Sequence, residues 1–320
     1  MIWFLIRRIA QAVLVLWCSS MAVFLVFFAG PGPDQVARTF AGRFAAPARI
    51  AQIKRELRLD QPLYAQYGHW AWNALQGNLG YDYYKGEPVI SVIAQGAPPT
   101  ISLVLGAAAI GIAYGVVTGV VSAVKARSLL DRGLNSAALV FYSMPTFVLG
   151  LALIWVFAYK LSPVTTFFPF HGYVPITVSP LRWFEHLILP WLTLALVTSA
   201  AYTRLTRASM LEVMGEDYIR TARGEGMPER RVILVHALRP SLTPVATQAG
   251  LDIGTALGGV IIIETVFGIP GLGWTAVQAI DQQDLPVIVG IVVLAAAFVV
   301  LANLLADMAY ALLDPRVRPY

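Results

Sequence analysis

Glu216 to Pro244 reads EDYIRTARGEGMPERRVILVHALRPSLTP, the longest polar interruption between apolar spans that still keeps a helical period. Leu211, Met214, Tyr218, Ile219 and Ala222 recur at three- and four-residue spacings, while Glu212, Glu216, Arg220 and Arg223 fall elsewhere. This pattern predicts an amphipathic helix. Gly224 and Gly226 should end it. A second short helix should begin at Pro228, because the first helical position has no use for the missing N–H and Glu229 suits the positive end of the dipole. Two helices joined by a glycine turn make a compact projection. It is suited either to lie on an anionic lipid surface or to fit a groove on a soluble partner.

The chain around this stretch is too apolar for a soluble domain. Of 320 residues 58% are hydrophobic and 13% charged, with mean hydropathy +0.67, whereas soluble domains carry about a quarter charged residues. The formal charge of +5 does not point to nucleic acid, because the arginines cluster in loops beside apolar runs, as membrane topology alone requires. Cys18 is the single cysteine and lies inside an apolar run. There is therefore no disulfide framework and no thiolate metal cluster.

Six membrane spans are expected in an all-α protein. They are Ile2 to Gly30, Thr100 to Val124, Leu134 to Ala158 with Pro145 near its middle, Leu187 to Tyr202, Thr243 to Ile263, and Val287 to Leu313. The first is too long for a secretory signal and is read as an uncleaved span. The sequence divides at 98/99 into a first helix with a long outer segment, and a five-helix core carrying the polar loop 209–240. Within the outer segment, residues 48–80 should form two surface helices. The second carries Tyr64, Tyr67, Trp70 and Trp72, which suit either the membrane interface or a partner outside it. Placing both termini in the cytoplasm puts 14 Lys and Arg in the inner segments and only Lys160 and Arg182 in the two short outer loops. The excess of positive charge inside supports that orientation and makes the central loop cytoplasmic.

Two glycine series interrupt the spans. Gly111, Gly115 and Gly119 leave one helix face nearly bare, on which another helix can pack closely, and Gly250, Gly254 and Gly258 repeat the pattern. Gln248, Asp252 and Thr255 lie on the face opposite the second series. A carboxylate at membrane depth is costly unless it meets a wet cavity or a partner. Asp252 is thus a candidate for the lining of a passage or for a bond between helices. Glu264 to Pro286, broken by glycine and proline and free of Lys and Arg, should dip toward the membrane and return on the outer side.

The run DYIRTARGEGMPERRVILVHALRPSLTP resembles the cytoplasmic "EAA" loop of ABC importer permeases, in the form used by dipeptide, oligopeptide and nickel permeases. In that resemblance Arg220, Thr221 and Ala222 stand where the Glu-Ala-Ala would be and Gly226 is the motif glycine. His236, Leu238 and Arg239 take the Ile-x-Leu-Pro positions. Pro228 replaces the Ser cap of that variant, which weakens the start of the second helix. The order Pro31-Gly32-Pro33-Asp34, Leu59-Asp60-Gln61-Pro62-Leu63 and Gly77-Asn78-Leu79-Gly80 is similar to the same family, as are LILPWLTLAL from Leu187 and ETVFGIPGLG from Glu264.

No phosphate loop of the GxxxxGK[ST] type, HExxH or GxSxG occurs. The resemblance supplies what the chain lacks. It implies the type I ABC importer transmembrane fold in a bacterial inner membrane, with no cofactor on this chain and ATP and Mg on two ATP-binding subunits. A homologous second permease, an extracytoplasmic substrate-binding protein and a di- or oligopeptide solute complete the expectation. Asp217, Tyr218, Arg220, Thr221, Ala222, Arg223, Gly226 and Arg230 would then couple the loop to the ATPase. Tyr218, Ala222, Met227 and Val232 would supply apolar contact inside a rim that includes Glu225, Glu229 and Arg231. The alternatives are the same architecture importing a nickel chelate, glutathione or a sugar, and an ion-coupled secondary transporter.

Overall fold

The computed structural model describes residues 2–41, 45–82, 84–160, 168–169 and 171–313, and gives the backbone alone for 2–5, 253–259, 302 and 305–313. Among the described residues the regular structure is helical apart from one two-stranded hairpin, in which β1 (Tyr81–Asp82) pairs antiparallel with β2 (Glu87–Pro88). It separates into two compact units. One gathers Met1–Thr100 with Pro270–Leu304, and the other is built on Ile101–Ile269.

In the first unit α1 (Ile2–Phe24) runs on as a π-helical turn (Leu25–Ala29), followed by α2 (Pro33–Ala41), α3 (Pro47–Glu56) and α4 (Leu63–Leu75). Phe24 and Phe28 stack at 5.0 Å, and Val36, Ala37, Phe40 and Ile53 close over them. The aromatic helix α4 divides its side chains. Tyr67 and Trp70 turn inward onto Phe24, at 5.5 and 6.0 Å, while Tyr64 and Trp72 stay exposed. Half of the expected interfacial aromatics are therefore core, since residues three apart share one helix face.

The helix expected to start at Thr100 starts earlier. α5 (Val89–Val124) continues through Pro98 and Pro99, although each proline removes a backbone donor. The reason lies in its first turns. Val89, Val92 and Ile93 are buried against α12 (Leu272–Gln282) and α13 (Leu285–Leu313). The Thr100 hydroxyl accepts from Leu272 N at 2.8 Å, satisfying an amide at the start of α12.

In the second unit the rest of α5 packs with α6 (Leu129–Ser143), α7 (Thr146–Leu153, continued as a π-helical stretch to Lys160), α8 (Pro180–Val213) and α11 (Leu238–Phe267). At Pro145 the expected third span breaks. Leu129–Ser143 and Thr146–Lys160 meet at 106°, because proline disfavours helical geometry in the residue before it and Met144 is extended. Among the described residues three helices are long and apolar enough to cross a membrane, or up to five if each bent pair is one span.

Candidate coupling loop and membrane cavity

α8 ends at Val213, so Leu211 and Met214 belong to that helix and its cap rather than to the amphipathic helix that follows. That helix is α9 (Asp217–Gly224). Ile219 and Ala222 are buried on its inner face with Ala123 of α5, Met210 of α8, and Val232 and Ala237 from the segment beyond. Gly226, at φ +77°, turns the chain where other residues would be strained.

Pro228 then caps α10 (Glu229–Arg231), which passes without a break through a π-helical stretch (Val232–Ala237) into α11. The expected second short helix is therefore the first turn of a long one. No glycine or proline lies between Glu229 and Arg239 to stop it.

The loop presents Tyr218, 47% exposed, together with the exposed Asp217, Arg220, Thr221, Arg223 and Arg230. Of the four apolar side chains expected to meet a partner, Ala222 and Val232 are committed to the chain's own core and Met227 is half-buried. Arg220 pairs with Asp217 at 3.3 Å. Arg223 grips Glu229 with both ends of its fork, Nη2 to Oε1 at 2.7 Å and Nε to Oε2 at 3.2 Å, and so ties α9 to α10 across the glycine turn.

Hydrogen bonds from Arg223 hold the Glu229 carboxyl below its ordinary pKa. The clip is thus complete above the usual carboxylate range and is lost as pH falls through the lowered value. Near neutral pH, amides of 217–232 are expected to exchange modestly faster in Glu229→Gln than in the parent, and the difference should close as pH falls below the ordinary carboxylate range and through the lowered value. Hydrogen exchange followed by mass spectrometry checks this; a difference that persists at low pH would disprove the clip.

A cavity of about 410 Å³ opens among α5, α6, α7, α8 and α11, with Ala107, Tyr142, Thr198, Tyr202, Gln248 and Asp252 on its wall. Asp252 Oδ2 accepts from the Tyr202 hydroxyl at 2.7 Å and Oδ1 from Gln248 Nε2 at 2.7 Å. The carboxylate therefore both faces the cavity and bonds a neighbouring helix. Thr255, Gly254 and Gly258 lie outside the residues whose surroundings are described, and Gly250 is partly buried.

The first glycine series meets α8. A Cβ built on Gly111 would lie 2.7 Å from Thr198 Oγ1, on Gly115 2.4 Å from Tyr202 Cβ, and on Gly119 2.6 Å from Thr206 Cβ.

Sequence reasoning missed one cluster. Asp131, 4% exposed, accepts from Arg207 Nε (Oδ1) and Nη2 (Oδ2), each at 2.8 Å, from Arg127 N at 2.8 Å, from Asn135 Nδ2 at 2.7 Å and from the Ser122 hydroxyl. Its signal in the sequence is a lone acid among Lys125, Arg127 and Arg132. Among the described residues no group of three or more His, Cys, Asp or Glu is placed to hold a metal.

Residues 115–319 match the model of the binding-protein-dependent transport system inner membrane component, and residues 1–104 match the N-terminal model of such membrane components. A putative peptide transport system permease protein of Brucella abortus is 41% identical over 314 residues, 98% of either chain. The dipeptide transport system permease protein DppB of Escherichia coli is 37% identical over 339 aligned residues, 99% of either chain. A chain of the MetNI methionine ABC transporter in inward-facing conformations superposes with TM-score 0.54, covering 70% of this chain and 97% of that one. At 18% identity this likeness concerns the fold alone. The chain belongs to the family of binding-protein-dependent transport system inner membrane components.

Proposed function

We infer that this chain is the transmembrane subunit of an ATP-driven importer of short peptides. The observation that carries the reading is full-length similarity, at 37 to 41% identity, to permeases named for peptide and dipeptide transport. The alternatives of another solute or an ion-coupled transporter have no comparable observation behind them. In this reading six spans cross the inner membrane with both termini cytoplasmic. The chain pairs with a second permease, two ATP-binding subunits work below, and an extracytoplasmic binding protein delivers the solute.

The chain itself hydrolyses nothing; ATP and Mg act on the partner subunits. Its residues do two things. The exposed face of α9, with Tyr218, Arg220 and Thr221, meets the ATPase while Ile219 and Ala222 seat the helix in the permease. The cavity beside α8 forms this chain's share of the passage, where Asp252 and Gln248 supply polar groups on an otherwise mainly apolar wall. Alternating access follows when movement of the loop opens that passage to one side and then the other.

The test is uptake of an isotope-labelled dipeptide mixture by proteoliposomes holding this chain with its partner subunits and binding protein. Accumulation is expected to need ATP and to survive collapse of proton and sodium gradients. Uptake that follows an ion gradient and ignores ATP would overturn the reading. A complex that couples ATP hydrolysis to nickel-chelate, glutathione or sugar uptake but not to dipeptides would overturn the solute alone.

A further inference from the structure

The Asp131 carboxylate accepts from four other residues, and nothing in the proposed passage or in the exposed loop uses it. A carboxylate taken out of water is expensive, and an apolar group of the same shape often stabilises a protein as well or better. What a bidentate guanidinium–carboxylate pair adds to apolar packing is a bonded distance and direction between two named groups.

Three helix ends are pinned by this pair and its neighbours: Ser122 near the end of α5, Asp131 and Asn135 at the start of α6, and Arg207 in the last turns of α8. Two of these ends also form the seat of α9. Ala123 follows Ser122, Met210 lies about one turn beyond Arg207, and both share the buried cluster with Ile219 and Ala222. No α6 side chain is in that cluster. Yet α6 carries Tyr142 to the cavity wall, where the Arg204 guanidinium lies 5.1 Å from its ring.

We propose that Asp131 and Arg207 are a positioning pair that locks α6 to the seat of α9, so that a displacement of the loop reaches the cavity wall. α5 and α8 receive the displacement through apolar packing. α6, which adds no side chain to that cluster, is fixed to them at its start by the fork. The proposal rests on the reading of α9 as the element that meets the ATPase.

The experiment uses the whole transporter in proteoliposomes with the labelled dipeptide mixture, reading ATP hydrolysed, peptide accumulated, and the ratio of the two. Arg207→Lys keeps the charge and loses the fork. It is expected to assemble, to hydrolyse ATP within about twofold of the parent, and to accumulate at least about fivefold less peptide per ATP, within the usual range of coupling between sites. Asp131→Arg combined with Arg207→Asp should recover part of the ratio that either single reversal loses. A purely structural role would lower the amount of assembled complex and leave peptide per ATP unchanged, and that result overturns the proposal.

Asn135→Ala and Ser122→Ala, which trim neutral donors and keep the ion pair, give the same reading if Arg207→Lys fails to assemble. Their ratio should fall less than twofold, and no fall in either would overturn the proposal. Tyr218→Ala measured alongside separates the two claims. If it too leaves the ratio intact, the reading of α9 fails; if it alone lowers the ratio, only the pair is refuted.

Discussion

Replacing Gly115 by leucine is expected to unfold the second unit or leave it severely weakened, with a loss of about 3 kcal/mol or more, at the top of the range for overpacking. The Cβ alone would come within 2.4 Å of Tyr202 Cβ, 2.9 Å of Ser199 O and 3.2 Å of Thr203 N. Two of these are backbone atoms of α8, so no rotamer change relieves them. α5 and α8 would have to separate, breaking the hydroxyl contact of Thr118 with Thr203 at 2.7 Å and disturbing Tyr202, whose hydroxyl holds Asp252.

Gly133 is the control. It lies inside α6, is exposed, and a Cβ there meets nothing within 4 Å. Alanine at this site should be neutral or gain about 0.5–1 kcal/mol from the lower entropy of the unfolded chain. Thermal melting of the detergent-purified complex, followed by size-exclusion chromatography, compares the two. Gly115→Leu melting within a degree or two of the parent would show that the helices do not pack this closely.

The contrast between these glycines shows what a sequence can reveal and where it stops. A four-residue glycine period announces a close helix approach, but not the partner; that α8 supplies Thr198, Tyr202 and Thr206 at matching heights depends on pairings about 87 residues apart. The same limit holds at α9. Its apolar period was legible, yet periodicity marks a stripe without saying what covers it, and Ala222 and Val232 turned into the chain's own core. The second span is expected to start only at Thr100, because the contacts that hold Val89, Val92 and Ile93 helical come from α12 and α13, far along the chain. Asp131 was invisible for the same reason: its partner Arg207 is 76 residues away, and either residue alone reads as a loop charge.

The last consequence concerns the exposed side of α9, where folding and coupling separate cleanly. Tyr218→Ala with Arg220→Glu is expected to leave the amount and melting of the purified chain nearly unchanged, and to lower peptide accumulated per ATP by tenfold or more. Tyr218 is 47% exposed and the Arg220 side chain 73%. The bridge from Arg220 to Asp217 is exposed, a kind worth at most about 1 kcal/mol. Surface changes of this sort usually shift stability by within about 0.5 kcal/mol. A tyrosine and an arginine exposed on the same short helix are nevertheless the residue types that carry most of the energy where proteins meet.

Ala222→Asp offers the opposite signature. Ala222 is 6% exposed within the cluster that seats α9. An unpaired carboxylate there should cost enough to unseat the helix, so stability and coupling should fall together. Gly226→Val should act in between, since a branched side chain at φ +77° is strained by about 1–2 kcal/mol although no neighbour crowds it. If Tyr218→Ala with Arg220→Glu leaves peptide per ATP at the parent value while Ala222→Asp lowers it only in proportion to folded protein, then α9 is a structural turn and the ATPase must engage another surface.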